Sequence, residues 1–289
     1  MPDTAPPSIF SPGLRKMRLE RAARNFTAHD FLHQRVAADA LDRLETVQKR
    51  FERALFYGPA APHLADRLTS AADVGTLTIA GESAKQLVAS GAKGPIEARA
   101  SALPFPDKSF DLVVSLMALH AEDDLPKALV EARRVLVPDG LFIASFPAER
   151  TLSGLRDALR EAETRITGGL SPRVPPFVAI KDGGALLQRA GFALPVVDNQ
   201  PITVQYANHL RLFQDLRGMG ETASMVKGSR TALRRDVLAE VIRQLDGQET
   251  IFEMLVMTGW APHPSQPKPL KPGSATASLA DAVKHSGKA

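Results

Sequence analysis

The chain reads as an α/β protein, with one mixed, doubly wound sheet of seven strands and helices on both faces. Three observations predict this class. Residues 103–146 hold a complete strand–helix–strand unit, and such a crossover places two parallel strands in one sheet with its helix on a face. Upstream, strand-like runs at 51–57 and 76–81 are each followed by a helical stretch, the alternation of a βαβα chain. Downstream, 192–206 and 249–260 read as two further strands, predicted as a closing antiparallel pair interrupted by two helices.

Taken in order, residues 1–13 are polar and proline-rich, and the composition predicts a disordered N-terminus. Residues 14–25 predict a short basic helix. Thr27 opens T-A-H-D, a capping-box pattern, ahead of the stripe Phe31, Val36, Ala40 and Leu44. Together, 14–45 predict an N-terminal helical extension. Phe51–Tyr57 suits a strand and Ala61–Leu68 a helix; Thr76–Gly91 repeats the pair, and Pro95–Phe105 predicts a third strand with its exit loop. In the central unit LPFPDKSF is a loop, because each proline disfavours helix in the residue before it. DLVVSLMAL is apolar enough for a strand buried on both faces. Asp124 ahead of Pro126 starts the helix LPKALVEARRVL, and Asp123 and Asp124 read as its caps. VPDG predicts the turn into the strand LFIASF. Thr151–Glu163 predicts a helix opened by threonine, followed by the rigid loop SPRVPPF. Asp182 reads as the cap of the LLQRA helix, and Gly191 as its left-handed stop. Helices at 208–218 and 231–245 form the insertion (207–245), and 249–260 is the last strand. One domain over 14–260 is expected, with an extended, partly disordered tail at 261–289.

Composition narrows the function. Without cysteine among 289 residues there is neither a disulfide nor a thiolate ligand. The seven histidines lack the paired spacing of a helical metal site, so no metal is expected. No apolar run approaches a membrane span. A formal charge of +4 is far from the clustered charge of a nucleic-acid binder, so no nucleic-acid partner is expected. Segment 14–24 carries five basic residues and one acid; it runs straight into ERAARNF and reads as part of the mature protein. A cytoplasmic location is the expectation.

The motifs LPF-x-D-x-SFDLV, DLPKAL-x-EARRVL and PDGLF resemble the second half of a class I S-adenosylmethionine (SAM)-dependent methyltransferase domain. ERAARNF-x-AHDFL (20–32), TLSGLRDALREAE (151–163), GGLSPRVPPF (168–177), LLQRAGFALPVVD (186–198), DLRGMGET (215–222) and TGWAPHPSQPKPLKPGSA (258–275) extend the likeness along nearly the whole chain. Together they are similar to one subfamily, that of the methyltransferase-like arginine hydroxylase that assists respiratory complex I assembly. It is a cousin of the malonyl-carrier-protein methyltransferase of biotin synthesis. The resemblance implies a Rossmann-like methyltransferase sheet, SAM as cofactor, and a cofactor site in the first half of the chain.

There the residues depart from the family pattern. The glycine-rich turn falls on Tyr57, Gly58, Pro59 and Ala60. Gly58 remains, but Phe56 stands at the acid, Ala60 at the second glycine and Pro62 at the third. The ribose-binding acid falls on Gly81, with Glu82 one residue later. Arg99 stands where an acid accepts from the adenine amino group, and a guanidinium has no acceptor. Ser101 follows, where a carboxylate is also common. His120 lies just past the fourth strand, at the sheet edge where open α/β sheets bind ligands. His120 completes the candidate cofactor set with Tyr57, Gly58, Ala60, Gly81, Glu82, Arg99 and Ser101, and with Arg173 and Arg217 it is also a candidate substrate or partner residue. Two functions follow. One is an assembly-type factor with an eroded SAM site, binding a protein partner such as a respiratory complex subunit. The alternative is an active SAM-dependent methyltransferase, or an arginine-modifying enzyme, acting on a protein or carrier-bound substrate.

Overall fold

The computed structural model describes residues 8–68, 74–228 and 232–267. Seven strands, β1 (Phe51–Tyr57), β2 (Val74–Gly81), β3 (Ile96–Glu97), β4 (Phe110–Leu116), β5 (Leu136–Pro147), β6 (Ala193–Gln205) and β7 (Glu249–Trp260), form one sheet. Their order is β3-β2-β1-β4-β5-β7-β6, parallel throughout except for β7, which runs antiparallel to both neighbours. Strand order reverses between β1 and β4, and the crevice outside their carboxyl ends is where such sheets bind ligands.

Alternation along the strands builds a core on each face. Ala54 and Phe56 pack under helices α2 (Phe31–Glu45) and α3 (Ala61–Leu68). Leu55 and Tyr57 face the opposite way, toward α5 (Leu125–Val135) and α7 (Ile180–Arg189). The antiparallel pairing of β6 with β7 holds from Val196–Thr258 to Gln205–Glu249. Between these two strands lie α8 (Leu210–Gly218) and α9 (Arg235–Leu245), and α9 packs on α6 (Ser153–Thr167). Helix α4 (Ala84–Ala89) follows β2, capped by the Ser83 hydroxyl, which accepts from the Gln86 amide at 3.2 Å. Among the described residues no helix is long and apolar enough to cross a membrane.

Several sequence expectations are corrected. Disorder was expected over 1–13, but order begins no later than Ser8 among the described residues; 1–7 lie outside them. Phe10 is buried and forms an antiparallel bridge with Met225, and helix α1 runs Pro12–Ala22 from a Ser11 cap. Thr27 caps nothing. It sits in a 3-10 turn (Phe26–Ala28), and Asp30 is the residue before α2. β3 is a two-residue strand; the chain bends at once, with Arg99 bridged to Ala102. β5 begins at Leu136, so the VPDG turn is a kink inside the strand, with Asp139 at φ 60°. Thr151 does not open α6. Its hydroxyl donates to the Glu253 carbonyl at 2.8 Å and accepts from the Glu253 amide at 3.0 Å, pinning the helix start to β7. Asp182 lies inside the first turn of α7, whose N-cap is Ala179. Gly191 does stop that helix, at φ 83°. Residue 231 and the tail from 268 lie outside the described residues.

The two adjacent aspartates divide their work. Asp124 caps α5 by accepting from the Lys127 amide at 3.0 Å. Asp123 instead accepts from the Ile9 and Phe10 amides, at 2.7 and 2.8 Å, and from the Ser8 hydroxyl. Partial burial would raise the Asp123 pKa, but these donors overcome it and hold the carboxyl below its ordinary value. A depressed carboxyl contributes stability that is present above the unfolded pKa and is lost as pH falls through the folded one. Asp123→Ala is therefore expected to cost about 1 kcal/mol and to speed amide exchange at Ile9 and Phe10 without unfolding the sheet. Acidification below about pH 4 should loosen the same amides in the parent chain, whereas unchanged exchange in the variant would show that other contacts hold the segment.

Candidate functional site

β1 ends at a glycine turn because the backbone there leaves no room for a side chain. Gly58 has φ 102°, and a Cβ on it would lie 2.2 Å from the Leu116 carbonyl oxygen. Its amide donates to Ala80 at 2.9 Å, tying the turn to β2. The rest of the turn is closed by apolar packing: Phe56, Ala60 and Ala61 are fully buried, and Pro62 is buried beside them. Tyr57 points to the other face, where its buried hydroxyl donates to the Ala98 carbonyl at 3.0 Å. Burial, and then the charges of Glu82 and Glu122, push the phenol pKa well up. Gly81 ends β2 against Leu87; a Cβ on Gly81 would meet the Leu87 Cδ1 at 3.2 Å and the Gly58 nitrogen at 3.4 Å. Ser101 is buried in the bend after β3. Arg99 is half exposed and reaches Glu122 at 3.5 Å.

The sheet's carboxyl edge is organised by a residue that sequence reasoning missed. Arg15 enters from α1 and is only 2% exposed. Its Nε lies 3.3 Å from Glu82 Oε2, and its two terminal nitrogens reach the Glu221 carboxylate at 2.8 and 3.0 Å. It also donates to the Gly220 and Met117 carbonyls, at 3.3 and 3.4 Å. His120 Nε2 completes the cluster, 2.8 Å from Glu221 Oε2, while its buried Nδ1 has no partner among the described residues. The two carboxylates respond oppositely to one arginine. Burial dominates at Glu82 and raises its pKa against the single Arg15 contact. At Glu221 burial is overcome, by Arg15 first and then by His120, and the carboxyl is held well below its ordinary range.

Beside this cluster lies a cavity of about 590 Å³. Its walls are mainly apolar, from α6, the 173–177 loop, α8 and Phe252. Of the candidate residues named from sequence, His120, Arg173 and Arg217 line it; Tyr57, Gly58, Ala60, Gly81, Glu82, Arg99 and Ser101 do not. Arg173 is engaged within the chain, donating from Nε to Glu163 at 2.6 Å. Among the described residues no group of three or more histidines and carboxylates is placed to hold a metal ion. The signal that could have found Arg15 is its spacing: Arg15, Leu19 and Ala22 are the buried residues of α1 and lie on one stripe. Glu221 stood unremarked inside the DLRGMGET motif.

Strand order, the left-handed glycine turn after β1 and the antiparallel β7 define a class I SAM-dependent methyltransferase fold. A family model described as a methyltransferase domain matches residues 57–144. The solved complex between the Haloferax volcanii Trm112 methyltransferase activator and its methyltransferase contains a chain of the same fold, with TM-score 0.54 and 16% identity, covering 87% of this chain and 99% of that one. The Danio rerio protein "Arginine-hydroxylase NDUFAF5, mitochondrial" is 32% identical over 294 residues, covering 96% of this chain and 90% of that protein. The chain belongs to the NDUFAF5 arginine-hydroxylase family. A shorter match, 39% identical over 119 residues, joins 41% of this chain to 38% of the malonyl-[acyl-carrier protein] O-methyltransferase of Halorhodospira halophila.

Removing one partner of a buried ion pair leaves uncompensated charge, at a cost of about 3–5 kcal/mol. Arg15→Met is expected to lose about that much at neutral pH in urea unfolding, and Glu82→Gln in the same chain should return part of it. The loss should shrink as pH falls below about 4, because protonation removes the stabilisation that Glu221 draws from Arg15 in the parent. An Arg15→Met variant as stable as its parent at pH 7 would show that the cluster contributes nothing net.

Proposed function

We propose that this member of the methyltransferase family has lost the fit of its SAM site and works by binding a protein partner, as an assembly-type factor. The observation that carries this reading is Arg15: it holds Glu82, the acid beside the ribose position at the end of β2, in a buried ion pair. The remaining residues do not suit SAM. Arg99 offers donors where the adenine amino group needs an acceptor. Phe56 is fully buried in the core in place of the first acid. Each missing charge-assisted bond weakens binding by about 1.5–3 kcal/mol, so two lower the affinity by about two to four orders of magnitude. Family membership supports a protein as partner, since the relative's name records a modification of arginine. A respiratory complex subunit remains the specific expectation from the sequence, with the cytoplasm as the location and no nucleic acid involved.

Gly58 favours a second reading, an active SAM-dependent methyltransferase or arginine-modifying enzyme, because the backbone geometry that admits a cofactor at β1 is kept. Calorimetric titration of SAM and S-adenosylhomocysteine into the full chain separates the two. No heat of binding up to millimolar ligand is expected. Micromolar affinity for either would sink the eroded-site reading and leave the enzyme.

A further inference from the structure

The charges that face the cavity do not balance. Arg15 is matched by Glu82 and Glu221, and Arg173 by Glu163. Arg18 and Arg217 also line the cavity, and among the described residues neither is in an ion pair. Arg217 lines a second, adjoining cleft of about 370 Å³ as well, together with Arg21. Arg18 and Arg21, one turn apart on α1, both donate to the Thr222 hydroxyl, Arg21 at 3.1 Å. The Nε groups of both arginines are buried without a partner. Burial, and then the like charge of Arg217, push the pKa values of Arg18 and Arg21 down.

Two guanidiniums share one hydroxyl and a third stands near enough to repel both, and an anion relieves that repulsion. Bidentate arginine is the side chain of choice for carboxylate and phosphate. The space behind them is apolar, lined by residues such as Leu155, Leu159, Phe213 and Phe252, and its size is that of a small-molecule site. We propose that Arg18, Arg21 and Arg217, with the Thr222 hydroxyl, bind the acidic head, phosphate or carboxylate, of an amphiphilic ligand whose apolar body occupies the 590 Å³ cavity. This inference is independent of whether SAM binds, because it uses neither Glu82 nor the β1 turn. A protein segment is disfavoured as occupant by the mainly apolar lining beyond the arginines, which leaves a peptide backbone few partners.

The test is calorimetry on the full chain with decyl phosphate, inorganic phosphate and decanol, each below its aggregation limit. Decyl phosphate should bind at least tenfold tighter than either fragment. Arg217→Gln should weaken it by about ten- to a hundredfold, the loss of one charge-assisted contact. Arg217 is exposed and unpaired among the described residues, so this variant should keep the parent's melting temperature. Flotation with phosphatidylcholine vesicles, with and without phosphatidylglycerol, distinguishes the sources. Capture by anionic vesicles alone assigns the head group to a membrane lipid, and decyl phosphate binding without capture assigns it to a soluble amphiphile. Equal affinity for decyl phosphate and decanol, an unchanged affinity in Arg217→Gln, or preferential binding of an acidic decapeptide would each overturn the proposal.

Discussion

One guanidinium, buried where the strands end, has to be neutralised, and much of the molecule is arranged to do it. An isolated charge in such a place costs several kcal/mol after relaxation. Arg15 recovers that cost from carboxylates on two distant parts of the chain, Glu82 after β2 and Glu221 after α8, and from the Met117 carbonyl after β4. The arrangement fixes the N-terminal helix over the sheet edge. It also gives Glu221 the positive surroundings that keep it ionised beside His120.

The architecture and its polar edge rest on different contacts. The sheet, its crossovers and its two cores depend on apolar alternation that does not involve the cofactor crevice. The polar groups near the sheet's carboxyl edge have partners within the chain: Glu82 an arginine, Arg99 Glu122, Tyr57 a backbone carbonyl. The Gly58 turn persists for a reason of its own, since any side chain there would strike the Leu116 carbonyl.

Most of the sheet was legible in the sequence because long apolar runs and their turns are local signals. The bounds of β1, α3 and β7 coincide with the elements read from the residues. What was not legible depends on partners far along the chain. Ser8–Phe10 looked disordered because its partners, Asp123 and Met225, are more than a hundred residues away. Thr151 looked like a cap because nothing local reveals that its hydroxyl belongs to the Glu253 backbone. Arg15 looked like one solvated charge among five. Of the predicted site residues, His120, Arg173 and Arg217 share the cavity, and the cofactor candidates other than His120 lie outside it.

The pairing of Arg15 with a residue 206 positions later sets a clock on synthesis. At about 5–20 residues per second, on the order of ten to forty seconds pass between the making of the first helix and the appearance of Glu221. The strand partner of Phe10 arrives later still. During that interval Arg15 and Leu19 have no completed edge to enter, and closing so long a loop comes after the local crossovers have formed. Until Glu221 and Met225 are made, α1 cannot complete these contacts, and the cavity to which it contributes Arg15 and Arg18 stays open on that side.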